Sequence, residues 1–270
     1  MTAADKSFAG SIPEIYDRLM VPLIFIPYAG DLAERIVRVG PRELLETAAG
    51  TGVLTRAMAS MLPPQTRIVA TDLNQPMIDR GAARQPPRDL VTWQQADALS
   101  LPFEDQTFDV VACQFGAMFF PDKVAAYREA RRVLKPHGHL FFNVWDKIAE
   151  NEFAEVVTEA LATVFPRDPP LFMARTPHGY HNVEQIGGEL AAAGFANIHV
   201  ETVGHMSRAP SPLEPAIAYC QGTPLRNEIQ ARDASLLEKA TKACADAIAR
   251  RFGNGPVAGR IQAHVITATG

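Results

Sequence analysis

The sequence is poor in the features that mark an exported, membrane-bound or nucleic-acid-binding chain. Its most apolar run, LMVPLIFIP from Leu19 to Pro27, is about half the roughly 20 residues of a spanning helix, and two prolines interrupt it. That run is expected to be a lid, with a piece of core as the alternative. Residues 1–10 lack a basic stretch followed by an apolar one, so no signal peptide is expected. There are only three cysteines, Cys113, Cys220 and Cys244, too far apart for zinc-ligand spacing and odd in number for a disulfide framework. They fit a reducing cytoplasm, and no metal is expected. Cationic excess is missing too. With 26 Lys and Arg against 30 Asp and Glu, the formal net charge is −4, which gives phosphate backbones and anionic membranes little to hold. Neither nucleic acid nor a membrane is therefore an expected partner. No internal repeat or low-complexity tract is present, and nothing in the sequence sets an oligomeric state.

From Glu43 onward, short apolar runs alternate with amphipathic stretches, the pattern of parallel strands joined by crossover helices. Residues 44–47, 67–71, 90–94, 108–113 and 139–144 read as five strands. Residues 53–61, 75–84 and 123–134 have helical spacing between them, and Pro63-Pro64, Pro86-Pro87 and Pro136-His137-Gly138 supply the stops. Two more helices are expected over 151–164 and 182–193, with strands over 198–203 and 260–267. Between those last strands lies an insertion too long for a hairpin loop, and its stretch 234–252 has helical composition. The expected organisation is an amino-terminal helical cap (1–40), an α/β domain (41–204 with 259–270) and a helical lid (205–258).

One stretch carries most of the chemistry. Leu44 to Glu46 is an apolar strand that ends in the small residues Thr47, Ala48, Ala49, Gly50, Thr51 and Gly52 before a helix begins. Glycines at such a turn adopt otherwise costly dihedrals, and the amides of the helix start can hold a polar or anionic group. Alone, this turn fits any nucleotide-like ligand. Asp72 closes the second strand about twenty residues on, where a carboxylate meets ribose hydroxyls in dinucleotide folds. Asp97-Ala98 follows the third strand, and Gln114 to Phe120 ends the fourth. All converge on one sheet edge, where ligands of open α/β sheets bind. The plainer alternatives are a surface strand end for Glu46, helix caps for Asp72 and Asp97, and a buried structural thiol for Cys113.

The combination resembles the class I S-adenosylmethionine-dependent methyltransferases, especially the branch typified by the ubiquinone and menaquinone biosynthesis enzymes. LLETAAGTG resembles that family's first motif and IVATDLNQPMID its second. DALSLPFEDQTFDVVACQFGAMFFPD resembles the segment spanning the adenine site and fourth strand, and REARRVLKPHGHLFF the helix and strand that follow. The resemblance implies a Rossmann-like, mostly parallel seven-stranded sheet of order 3-2-1-4-5-7-6, last strand antiparallel, with helices on both faces. It implies S-adenosylmethionine as cofactor and S-adenosylhomocysteine as product. By the same resemblance Glu46 faces the methionine ammonium, Ala48, Gly50, Thr51 and Gly52 line the methionyl moiety, and Asp72 takes the ribose hydroxyls. Leu73 and Met77 pack near the adenine, Asp97 accepts from its amino group, Ala98 offers an amide, and Gln114 lies beside the methionyl end. The sequence departs from the family at Ala48 and Ala49, where many members have glycine and cysteine.

Displacement at a sulfonium needs alignment in a dry site more than it needs acid or base, since the leaving group is already charged. If the acceptor arrives protonated, a histidine serves as base. The candidates are His178 and His181 after the fifth strand and His205 at the start of the insertion. Tyr16, Tyr28, Phe119, Trp145, Phe172 and Tyr219 are the expected pocket walls, which favours a small apolar or aromatic acceptor. Two rivals remain at this level. An NAD(P)-dependent oxidoreductase would share the Gly-x-Gly turn, but Thr55 replaces its third glycine and Tyr127 is followed by Arg131 where a Tyr-x-x-x-Lys pair would need lysine. A cofactor-binding scaffold without catalysis would share every motif named.

Overall fold

Parallel strands covered by helices on both faces must be apolar along their length, because neither face meets water. The strands β1 (Glu43–Glu46), β2 (Arg67–Asp72) and β4 (Phe108–Gln114) meet that condition and are buried almost throughout. In the computed structural model, which describes residue 8 and residues 10–270, they are joined in one sheet by β3 (Val91–Gln95), β5 (Leu134–Trp145), β6 (Asn197–Ala209) and β7 (Val257–Thr269). The order is β3-β2-β1-β4-β5-β7-β6. The first five strands are parallel: Leu45 pairs with Val69 and Val111, Ala70 with Trp93, and Ala112 with Phe141. β7 runs antiparallel to β6, with Asn197 bonded to Thr269 at one end and Thr202 to His264 further along. Topology therefore reverses between β1 and β4, and the switch point lies at their carboxyl ends.

The chain divides into two compact units. The first unit contains the described residues up to Phe25, together with 145–180 and 204–262. Its helices are α1 (Ile12–Ile15), α6 (Glu152–Val164), α7 (Phe172–Arg175), α9 (Leu213–Gln221), α10 (Leu225–Asp233) and α11 (Leu237–Phe252), with α11 packed on both α6 and α9. The run that was expected to form a lid lies here as core: Tyr16–Phe25 is a π-helical stretch in which Met20, Val21, Leu23, Ile24 and Phe25 are buried. Pro22 lies inside it, without an N–H to give to a helical ladder. Cys220 and Cys244, twenty-four residues apart, are brought to 3.6 Å between sulfurs by the packing of α9 on α11.

The second unit contains residues 26–144, 181–203 and 263–270. Its helices are α2 (Ile26–Val39), α3 (Val53–Met61), α4 (Gln75–Arg84), α5 (Lys123–Val133) and α8 (Val183–Ala192). Leu32 and Ile36 of α2, Leu54 and Met58 of α3, and Leu44, Ile68, Val110 and Phe141 of the strands form one buried cluster. Arg35 fastens α2 further, bonding Asp31 on its own helix and Glu201 on β6 at 2.8 Å each.

Two strand limits differ from expectation. β5 begins at Leu134 because Leu134 pairs with Phe108 before the register shifts and His139 pairs with Val110. The Pro136-His137-Gly138 stop thus lies within an irregular strand, with His137 at φ +65°. β6 continues past Val203 to Ala209, so His205 is a strand residue and not the start of the insertion. The reason is period-2 burial: Ser207 and Ala209 are buried while Met206 and Arg208 face solvent.

Candidate functional site

Between β1 and α3 the backbone turns through residues 47–52 with positive φ at Ala48 (52°), Gly50 (57°) and Gly52 (81°). Glycine adopts this region freely, whereas an alanine there costs about 1 kcal/mol. Ala48→Gly is therefore expected to raise stability by ~0.5–1 kcal/mol, read as a higher denaturant midpoint at unchanged slope. An unchanged or lower midpoint would show that the added freedom of the unfolded chain outweighs the relief. Across the turn stands Gly116, where a Cβ would lie 2.4 Å from the Ala48 Cβ and 2.8 Å from the Cys113 sulfur. The loops after β1 and β4 thus touch at a spot that admits no side chain.

Asp72, at the end of β2, ties the turn down. Its Oδ2 accepts the Gly50 N–H at 2.9 Å, and its Oδ1 accepts the Asn74 N–H at 2.8 Å and the Asn74 Nδ2 at 3.3 Å. Burial pushes this carboxyl above its ordinary range, and those donors pull it back. Glu46 is only 1% exposed, which removes the surface-strand alternative. Its Oε2 accepts from the Thr55 hydroxyl at 2.5 Å, and burial pushes its carboxyl up to about 8. Thr55, the residue that breaks the dinucleotide fingerprint, is the partner of that buried acid.

The remaining expected cofactor positions surround this pair in the same unit. Thr51 is buried, and its hydroxyl has no hydrogen-bond partner among the described residues. Leu73 is 45% exposed beside Asp72, while Met77 one turn into α4 is buried. Asp97 is exposed and accepts the Leu99 N–H at 2.9 Å, and Ala98 is half-buried. Gln114 is buried at the end of β4. Cys113 is the structural thiol of the plainer alternative, since burial pushes it up to about 12. Two further residues here belong to no motif of the sequence: Trp93, whose ring lies against Gly52 and Gly81 with no space left at either, and Asn143 on β5, which is wholly buried.

The three histidines separate. His178 is buried in the first unit, with Nδ1 2.9 Å from the Asp146 carbonyl. A carbonyl only accepts, so Nδ1 carries a hydrogen. His181 lies half-exposed before α8 in the second unit, and His205 is half-buried on β6. Of the aromatic residues, Tyr16 and Trp145 are joined through Phe25, with ring centroids 5.2 and 5.9 Å apart, and Trp145 lies 6.1 Å from the His178 ring. Phe25, absent from the expected walls, is the link in that row. Phe172 and Tyr219 are also fully buried in the first unit. In the second unit Phe119 is half-buried, and Tyr28 is a core residue whose hydroxyl donates to the Val203 carbonyl at 3.0 Å. Among the described residues no group of acids, histidines and cysteines is placed to hold a metal, and no helix is long and apolar enough to cross a membrane.

Comparison with known proteins agrees with this geometry. A family described as "Methyltransferase domain" matches residues 45–142. The ubiquinone/menaquinone biosynthesis C-methyltransferase UbiE of Serratia proteamaculans (strain 568) is 31% identical over 174 residues, covering 60% of this chain and 69% of the relative. Its counterpart from Ectopseudomonas mendocina (strain ymp) is 40% identical over 174 residues, covering 60% and 68%. Among solved structures, the Haemonchus contortus phosphoethanolamine N-methyltransferase 2 in complex with phosphomonomethylethanolamine and S-adenosylhomocysteine superposes with a TM-score of 0.54 at 17% identity, covering 97% of this chain and 60% of that one. The structural likeness is one of fold, and the sequence matches carry the family. Cofactor turn, strand order and relatives agree, and the chain belongs to the class I S-adenosylmethionine-dependent methyltransferases, in the UbiE-like branch.

Proposed function

We propose that this enzyme methylates a small, largely aromatic acceptor at a ring carbon that neighbours an oxygen, with the methyl donor held at the carboxyl ends of β1, β2 and β4. The observation that carries the donor half is the Asp72 carboxylate bonded to the Gly50 amide, with the buried Glu46 on the neighbouring strand. The residues suit the cofactor: Thr51 offers a buried hydroxyl that has no hydrogen-bond partner among the described residues, and Leu73 offers exposed apolar surface for a base. S-adenosylmethionine supplies, when bound, a methyl group on a cationic sulfur for in-line displacement. In this reading Asp72 accepts from the ribose hydroxyls, Glu46 faces the ammonium, and Ala48, Gly50, Thr51 and Gly52 line the methionyl chain. Leu73 and Met77 flank the adenine, Asp97 and Ala98 read its edge, and Gln114 closes the methionyl end.

The acceptor half draws on the row Tyr16, Phe25, Trp145 and His178 and on the C-methyltransferase name of the relatives. A flat ring matches aromatic walls through stacked or edge contacts. A ring carbon becomes nucleophilic when a neighbouring hydroxyl loses its proton, and His178, at the end of that aromatic row, is the group we assign to take it.

Asp72→Ala tests the donor half. Calorimetry should show S-adenosylhomocysteine bound about 1–3 kcal/mol more weakly than by the parent, with NADH giving no heat in either. Tight NADH binding with silent S-adenosylhomocysteine would overturn the reading. His178→Gln tests the other half: methyl-labelled cofactor and metabolite extracts should give product about 10²-fold or more slowly than the parent, with cofactor affinity unchanged. Parental rates would dismiss His178 as the base.

A further inference from the structure

β4 and β5 end side by side in the second unit, with Gln114 opposite Asn143. Side chains alternate along a strand, so Asn143 shares a face with Phe141, Gln114 with Ala112 and Glu46 with Leu44. Phe141, Ala112 and Leu44 all belong to the core cluster under α2. Glu46, Gln114 and Asn143 are therefore three polar side chains on one face at the carboxyl ends of β1, β4 and β5.

Asn143 is 0% exposed, and the orientation of its amide is determined. The Phe115 N–H is shared between the Asn143 backbone carbonyl at 3.2 Å and Oδ1 at 3.0 Å, and a donor can meet only an acceptor, so Oδ1 faces Phe115 and Nδ2 points away. Nδ2 has no hydrogen-bond partner among the described residues. Neither the Tyr28 hydroxyl, on a ring 5.3 Å from that of Phe115, nor Glu46, which accepts from Thr55, nor Gln114 opposite receives a hydrogen from Nδ2. Phe115, on the other side of the same bond, sits at φ +51°, which a bulky residue rarely adopts. Buried donors are nearly always satisfied and such backbone is strained. Both costs meet at one hydrogen bond beside the proposed site, and both are explained if the amide is held ready for a ligand.

We propose that Asn143 is a ligand-binding donor whose Nδ2–H groups take up an anionic or carbonyl oxygen of a molecule bound at the ends of β4 and β5. Two molecules of the proposed reaction carry such an oxygen: the cofactor, in its amino-acid carboxylate, and the acceptor, beside the methylated carbon. The inference rests on the donor-site reading above.

The test compares the parent with Asn143→Leu, which removes both functions of the amide, and Asn143→Asp at about pH 8.5, which keeps an oxygen for the Phe115 N–H and loses the donor. The probes are S-adenosylhomocysteine, 5′-methylthioadenosine, which lacks the carboxylate, and 1-naphthol added to the S-adenosylhomocysteine complex. If the oxygen is the cofactor's, both variants bind S-adenosylhomocysteine about tenfold or more weakly while methylthioadenosine is unaffected. If it is the acceptor's, only 1-naphthol is weakened. In either case the Asn143 side-chain amide resonances of the ¹⁵N-labelled parent shift downfield with that probe, a readout independent of how the variants fold. Recovery of parental affinity in Asn143→Asp, or amide resonances that stay put with every probe, overturns the proposal and leaves Asn143 as a mere support for Phe115. A parent that binds no S-adenosylhomocysteine overturns the donor-site reading instead.

Discussion

Gly52→Ala is expected to cost about 2–4 kcal/mol and to be among the most damaging single substitutions at the cofactor turn. Two penalties add. Gly52 caps α3 at φ 81° and ψ 32°, where any Cβ strains the backbone by about 1 kcal/mol. The new methyl would also stand 2.4 Å from Cη2 and 3.0 Å from Cζ2 of Trp93. The indole has little room to shift, because Gly81 holds the same tip of the ring, where a Cβ would lie 2.6 Å from Cη2 and Cζ3. Denaturant melts of Gly52→Ala, Trp93→Leu and the double variant separate the terms. The double variant should recover the steric part and retain about 1 kcal/mol of backbone strain. A single variant within about 0.5 kcal/mol of the parent would mean the ring is not where the structure puts it.

Cofactor affinity is expected to rise with pH, up to about tenfold per unit between roughly pH 6 and 8, and then level off. Its source is Glu46, whose carboxyl is pushed up to about 8 because burial penalises the charged form more than the Thr55 hydrogen bond and the Arg56 charge favour it. At neutral pH the ligand-free enzyme carries that proton. An ammonium placed against Glu46 favours the carboxylate, so binding expels the proton and becomes easier where the proton is already gone. Calorimetry in two buffers of different ionisation enthalpy should count close to one proton released at pH 7, and Glu46→Gln should release none. The same group affects stability in the opposite sense. Its folded pKa lies above the ordinary 4.5, so its stabilising share is full below that value and is lost as pH rises towards 8. Glu46→Gln, isosteric and uncharged, should therefore match the parent near pH 4 and exceed it by about 2–4 kcal/mol at pH 9 in the ligand-free state. Equal stability of the two proteins at pH 9 would show that Glu46 ionises freely.

Much of this was legible in the residues themselves. Strands β1, β2 and β4, helices α3, α4 and α5 and the Gly50-Thr51-Gly52 turn stand out because an unbroken apolar run followed by small residues has few other solutions. Where the sequence misled, packing decided. Leu19 to Pro27 has the composition of a lid, yet its place is settled by which side chains find apolar neighbours, and here Met20, Val21, Leu23, Ile24 and Phe25 do. His205 was expected to start the insertion, while the continued burial of Ser207 and Ala209 keeps the strand going. Phe25 and Asn143 gave no signal, since a phenylalanine within an apolar run and an asparagine amid aromatics have no spacing to read. The approach of Cys220 to Cys244 depends on how two helices cross, which neither helix encodes alone.

The strand order also has a consequence in time. β6 has β7 as its only neighbour in the sheet, and β7 separates it from β5. The ribosome makes β6 well before β7, so β6 leaves the exit tunnel with no partner to accept its hydrogen bonds. Until β7 is made, β5 and β6 both present open edges of the kind that recruit other chains. The half of the sheet that carries the cofactor turn can assemble early from β1 to β4, whereas closure of the other half waits for the last strand. A stalled or shortened product should therefore aggregate through β5 and β6 while its nucleotide-binding half is already formed.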